Sequence, residues 1–179
     1  MLGHPPDRGF TLVELMIVLA VLAIILGIGM PSFSLWMENN RIRNAAESII
    51  SGLHLARSEA VSRNSLVQFR LVTGSAWTVG CVNAMAGCPA TIQSRSIGDG
   101  SSASVTVDAD GEDTFVFDGF GRMAAPVPTG GATTIAIAVD SSVLDASRSR
   151  DLRITASPGG GVRLCDPNIS STGDPRRCP

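Results

Sequence analysis

An α+β fold, with one long N-terminal helix packed on an antiparallel β-sheet domain, is what this sequence predicts. Two observations carry that expectation. An apolar run at residues 15–30 passes into an apolar stripe of helical period lasting to about Arg63, and after Asn64 the period changes to two. A chain of 179 residues holds one ordinary domain plus an anchoring segment. Formal net charge is -2 and the 14 Lys and Arg residues are spread along the chain, so composition offers no basic field of the kind that attracts nucleic acid.

The first element is residues 10–30. From Leu15 to Met30 no side chain is polar. With Phe10 to Glu14 added, the segment reaches the length of about 20 residues that spans a bilayer core, and it is predicted to be a transmembrane helix. A secretory signal peptide would place its cleavage site after the apolar stretch. Here the candidate cut lies before it, so the polar leader of residues 1–9 is removed and the anchor is retained. Gly27, Gly29 and Pro31 cluster where the run ends, which predicts a kink or local melting. Residues 31–64 are read as an amphipathic continuation of the helix. Ile42, Ala45, Ala46, Ile49, Leu53, Ala56 and Ala60 form its apolar stripe. Arg43 with Glu47 and Glu59 with Arg63 lie at i,i+4 spacing on solvated faces.

Residues 65–179 are read as a β-rich domain. Strands are predicted at residues 66–72, 76–82, 114–117, 134–139, 152–156 and 161–165, separated by turn residues. Asp108 to Asp113 is an acidic loop without the ligand series of an EF-hand, and is read as a solvated turn. His54 is the one histidine outside the leader, and no nucleophile motif accompanies it. We therefore expect no catalytic residue, no metal and no cofactor.

Gly9-Phe10-Thr11-Leu12-Val13-Glu14 resembles the prepilin motif of type IV pilins and type II secretion pseudopilins. The resemblance implies cleavage between Gly9 and Phe10 by a prepilin peptidase, and N-methylation of Phe10. It also implies a single-pass inner-membrane protein whose domain is periplasmic before it enters a pilus or pseudopilus. The leader departs from the family pattern in carrying only Arg8, offset by Asp7, where several cations are usual. Two readings of Glu14 coexist. It can close a capping box with Thr11 at the helix start. By resemblance, it is also the assembly residue, attracting the amino terminus of Phe10 in a neighbouring subunit at low dielectric.

Leu55-Ala56-Arg57-Ser58-Glu59-Ala60-Val61-Ser62-Arg63-Asn64 resembles the segment typical of the GspH/FimT group of minor pilins and pseudopilins. Phe115-Val116-Phe117-Asp118-Gly119-Phe120-Gly121-Arg122 is similar to the glycine-turned strand of the same group. A pilin-like fold follows from this resemblance. Arg57 and Glu59 are expected to be surface or subunit contacts rather than an active pair.

Cys81, Cys88, Cys165 and Cys178 lack C-x-x-C spacing, which argues against zinc. A domain outside the cytoplasm is expected to oxidise them. Three connectivities are possible; pairing between sequence neighbours joins Cys81 with Cys88 and Cys165 with Cys178. The tail from Arg163 to Cys178 looks like the C-terminus of FimT-type minor pilins, some of which bind DNA during natural transformation through a Gly-Arg-x-Arg signature. Here that stretch reads Gly160-Gly161-Val162-Arg163, with one arginine missing. Arg163, Arg176 and Arg177 are the candidate phosphate contacts. The expectation is a non-catalytic structural subunit whose partners are other pilins or pseudopilins, met through the N-terminal helix. The alternative is a FimT-like DNA-binding minor pilin. Leader, helix and domain suit a type IV pilus or a type II secretion pseudopilus alike, and the tail leans toward the pilus.

Overall fold

The computed structural model describes residues 9–128 and 134–179, except for the side chains of residues 28–31. The leader up to Arg8 lies outside the described residues, as do the side chains at the expected kink around Gly29 and Pro31. The chain divides into two compact units, Met1–Met37 and Glu38–Pro179. The element order is one helix, α1 (Leu12–Arg63), followed by nine strands: β1 (Val67–Leu71), β2 (Trp77–Cys81), β3 (Gln93–Arg95), β4 (Val105–Asp108), β5 (Thr114–Phe117), β6 (Met123–Ala125), β7 (Ile135–Ser141), β8 (Leu152–Ala156) and β9 (Val162–Cys165).

Thr11 caps the helix, its hydroxyl accepting from the Glu14 amide at 3.2 Å. The other end closes as a Schellman motif. Asn64 turns left-handed at φ 47°, its amide donates to the Val61 carbonyl, and the Ser65 amide reaches back to the Ala60 carbonyl at 3.1 Å. Asparagine tolerates that conformation, so the helix stops where the apolar stripe stops.

The strands form two antiparallel sheets rather than one. The first has order β3-β2-β1-β5-β6, the second β4-β7-β8-β9. In the first, Phe69 sits opposite both Val79 and Phe115, and its ring lies 5.6 Å from Trp77 and 6.2 Å from Phe115. All seven residues of the helical stripe are buried, and they share one core with the inward faces of both sheets, including Ile137, Val139 and Ile154. Gly52 makes room for this packing: a Cβ there would stand 2.6 Å from the Phe69 ring. The Trp77 indole N–H donates to the Ser48 hydroxyl at 2.9 Å, which satisfies two buried polar groups together.

Six strands were expected and all six form. The three not expected, β3, β4 and β6, are edge strands. The compact unit Glu38–Pro179 contains the helix from Glu38 onward together with both sheets.

Candidate functional site

The first section of α1 is apolar on every side, and its side chains are bare. Leu12 is 75% exposed, Leu22 is 49% exposed, and Val13, Leu15, Met16, Ile17, Val18, Leu19, Val21, Ile24, Ile25 and Leu26 fall between them. Gly9, Phe10 and Glu14 lie at its exposed start. Among the described residues no single helix is long and apolar enough to cross a membrane. Leu12–Gly27 and Ser32–Arg63 together pass that test by length and composition.

In the compact unit, two adjacent helix residues that the sequence reading did not single out hold the helix to the second sheet. Glu38 is only 4% exposed. Its carboxylate accepts from the Arg41 guanidinium at 2.9 Å and from the Ser141 hydroxyl at 3.0 Å, and it also accepts from the Ser104 hydroxyl. Burial raises its pKa, but the hydrogen bonds from Ser104, Arg41 and Ser141 outweigh that and leave the carboxyl below its ordinary value. Asn39 accepts from the Arg150 amide at 2.8 Å and donates to the Arg148 carbonyl at 3.2 Å. A signal was present in the sequence. Glu38 stands four residues before Ile42, so it is a charged residue in phase with the apolar stripe.

The helix charges divide: both i,i+4 pairs form as expected, and Arg57 departs from expectation. Arg43 and Glu47 pair at 2.9 Å on the surface. Arg57, expected at the surface or against another subunit, is half-buried and donates to the Gly121 carbonyl at 2.9 Å. Gly121 and Gly160 crowd around it, and a Cβ on Gly160 would lie 1.9 Å from the Gly121 oxygen. Glu59 pairs with Arg63 at 2.6 Å, and Arg63 also donates to the Gly87 carbonyl. The physical reason is the two glycine turns: they let backbone carbonyls come close enough to be bound by arginines that helical spacing alone marks as solvated.

Both disulfides join sequence neighbours, Cys81 with Cys88 and Cys165 with Cys178. The first closes a loop over β2, where a Cβ on Gly80 would meet the Ala90 carbonyl at 1.8 Å. The second returns the tail to the end of β9. There Arg163 donates to the carbonyls of Pro175 and, at 3.0 Å, Arg177. Arg176 is paired with Asp174 at 2.9 Å, which raises the pKa of the arginine and lowers that of the aspartate. Two of the three arginines considered for DNA are thus engaged in holding the tail, and residues 161–179 carry no aromatic side chain to stack on a base.

In the acidic loop, Asp108 accepts from the Asp110 amide at 2.9 Å and Asp113 accepts from the Thr114 hydroxyl at 2.8 Å, so both carboxylates serve the turn. Among the described residues no group of three or more His, Cys, Asp or Glu is arranged to hold a metal ion.

Comparison with known proteins places these features. The profile of the type II transport protein GspH matches residues 45–172, and that of the prokaryotic N-terminal methylation motif matches residues 5–30. The pilin-like protein PilA1 of Thermus thermophilus is 38% identical over 71 residues. That stretch is 38% of this chain and 43% of PilA1, so the chain spans less than half of that relative. The type IV minor pilin FimU of Pseudomonas aeruginosa superposes with a TM-score of 0.57 at 19% identity, over 76% of this chain and 97% of FimU.

Proposed function

This chain belongs to the GspH family, and from that premise we propose that it is a minor pilin or pseudopilin, a structural subunit of a type IV pilus or type II secretion pseudopilus. Its work is assembly, and it does no chemistry of its own. A prepilin peptidase removes the leader between Gly9 and Phe10 and the new amino terminus is methylated, a reading supported by the methylation motif over residues 5–30. Before assembly the subunit is a single-pass inner-membrane protein with its domain in the periplasm.

One observation carries the proposal. The same continuous helix that is buried in the domain at one end leaves its apolar side chains 49–75% exposed from Leu12 to Leu26. An aliphatic surface of that extent needs either lipid or other helices against it. Glu14 gives those helices their register, because a carboxylate in low dielectric seeks the one cation that processing creates, the amino terminus of a neighbouring Phe10. Glu14→Ala is expected to leave the domain folded and to abolish incorporation into the filament, read by immunoblot of sheared filaments. Normal processing together with wild-type incorporation of this variant would sink the idea.

A further inference from the structure

The chain has two tryptophans, and their surroundings are opposite. Trp77 is 1% exposed in the core. Trp36 is 60% exposed, as is Phe33 one turn before it. The two rings lie 5.8 Å apart at 31° and make one aromatic ridge on the helix. Solvent is a poor environment for such a ridge.

Distance along the helix identifies what does. At about 1.5 Å per residue, and with the 45° bend between Gly27 and Ser32 taken into account, the rise along the first section's axis is about 30 Å from Leu12 to Phe33 and about 33 Å to Trp36. A bilayer has a hydrocarbon core of about 30 Å, and measures about 40–45 Å with its headgroup layers. With Leu12 at one edge of the core, Phe33 falls at the other edge and Trp36 just beyond it. That is the layer which rings with an apolar body and, in tryptophan, a polar N–H prefer. The sequence around them agrees. The apolar run ends at Met30, and charged residues begin at Glu38 and continue with Arg41 and Arg43.

We propose that Phe33 and Trp36 form an interfacial anchor that seats in the headgroup layer and sets the depth of the subunit in the membrane before assembly. The inference rests on the membrane-spanning stage of the proposed function. It adds a defined contact surface and a defined partner, the lipid interface on the domain side of the bilayer.

The full-length protein reconstituted in phosphatidylcholine–phosphatidylglycerol vesicles tests it by fluorescence. Trp77→Phe isolates the Trp36 signal, and the difference between wild type and Trp36→Phe provides the same signal without touching the core. Trp36 is expected to be quenched roughly twofold more by lipids brominated near the carbonyls than by lipids brominated near the chain ends, with aqueous acrylamide quenching reduced. Stronger quenching by the deep bromines places the ring in the hydrocarbon and overturns the anchor. Full acrylamide quenching in protein that sediments with vesicles places it in water and also overturns it, leaving the span intact. Protein that does not sediment with vesicles overturns the membrane stage itself.

Discussion

Leu22 and Leu53 are the same residue on the same helix, yet Leu22 is 49% exposed and Leu53 is fully buried. The difference lies in their neighbours along the chain. Around Leu22 every position is apolar, so no face of the helix is marked as inner, and cover must come from outside the chain. Around Leu53 the apolar positions recur every three or four residues, so one face is marked and the two sheets cover it. The contrast separates two uses of the hydrophobic effect, folding in one section and association in the other.

Three measurements break or sharpen that contrast. The largest effect is expected from a matched pair in detergent-solubilised protein: Leu53→Ala costs about 2–5 kcal/mol of unfolding free energy, as for other buried leucines, and Leu22→Ala changes it by no more than about 0.5 kcal/mol. Equal losses in chemical denaturation would erase the distinction. Next, replacing Cys165 and Cys178 together by Ser is expected to cost about 3 kcal/mol, because a loop of this size is no longer closed in the unfolded chain. Released tail peptides in limited proteolysis should accompany that loss, with the exposed section of α1 unchanged.

The smallest effect is expected at Glu38. Its carboxyl lies below the ordinary value of 4.5 in the folded protein, so its stabilisation is complete above that value and is lost as pH falls through the folded value. Glu38→Gln should cost about 2 kcal/mol at neutral pH, where a charged acceptor is removed from Arg41 and two serines. In acid the variant and wild type should converge. A variant with undiminished pH dependence as the pH falls below 4.5 would show that Glu38 is not the group responsible.

Legibility in the sequence followed burial. The interior strands β1, β2, β5, β7 and β8 read clearly because each presents an alternating apolar face to the core, as in Val67, Phe69 and Leu71. The edge strands β3 and β6 are three residues long and are held by the ladder of one inner neighbour, so they leave little pattern of their own. Gln93-Ser94-Arg95 is a strand because it pairs with β2, and its residues alone do not call for one. At the site the same logic holds. Gly9, Phe10 and Glu14 were legible as a contiguous motif, whereas the contacts of Glu38 with Ser104 and Ser141 join residues 66 and 103 positions apart. Arg57 was read as a solvated charge because its partner is a backbone carbonyl 64 positions away, and a carbonyl leaves no trace in a sequence.

By itself, the sequence determined where an unbroken apolar segment lies, which helix face turns inward and that four cysteines could pair locally, since each follows from period, length or spacing along the chain. Only the tertiary structure decided that the strands divide into two sheets, that Arg57 reaches Gly121 and that Glu38 is a buried clamp. Those outcomes depend on which distant groups approach closely enough to pair, as where Gly121 and Gly160 let a backbone carbonyl come up against Arg57.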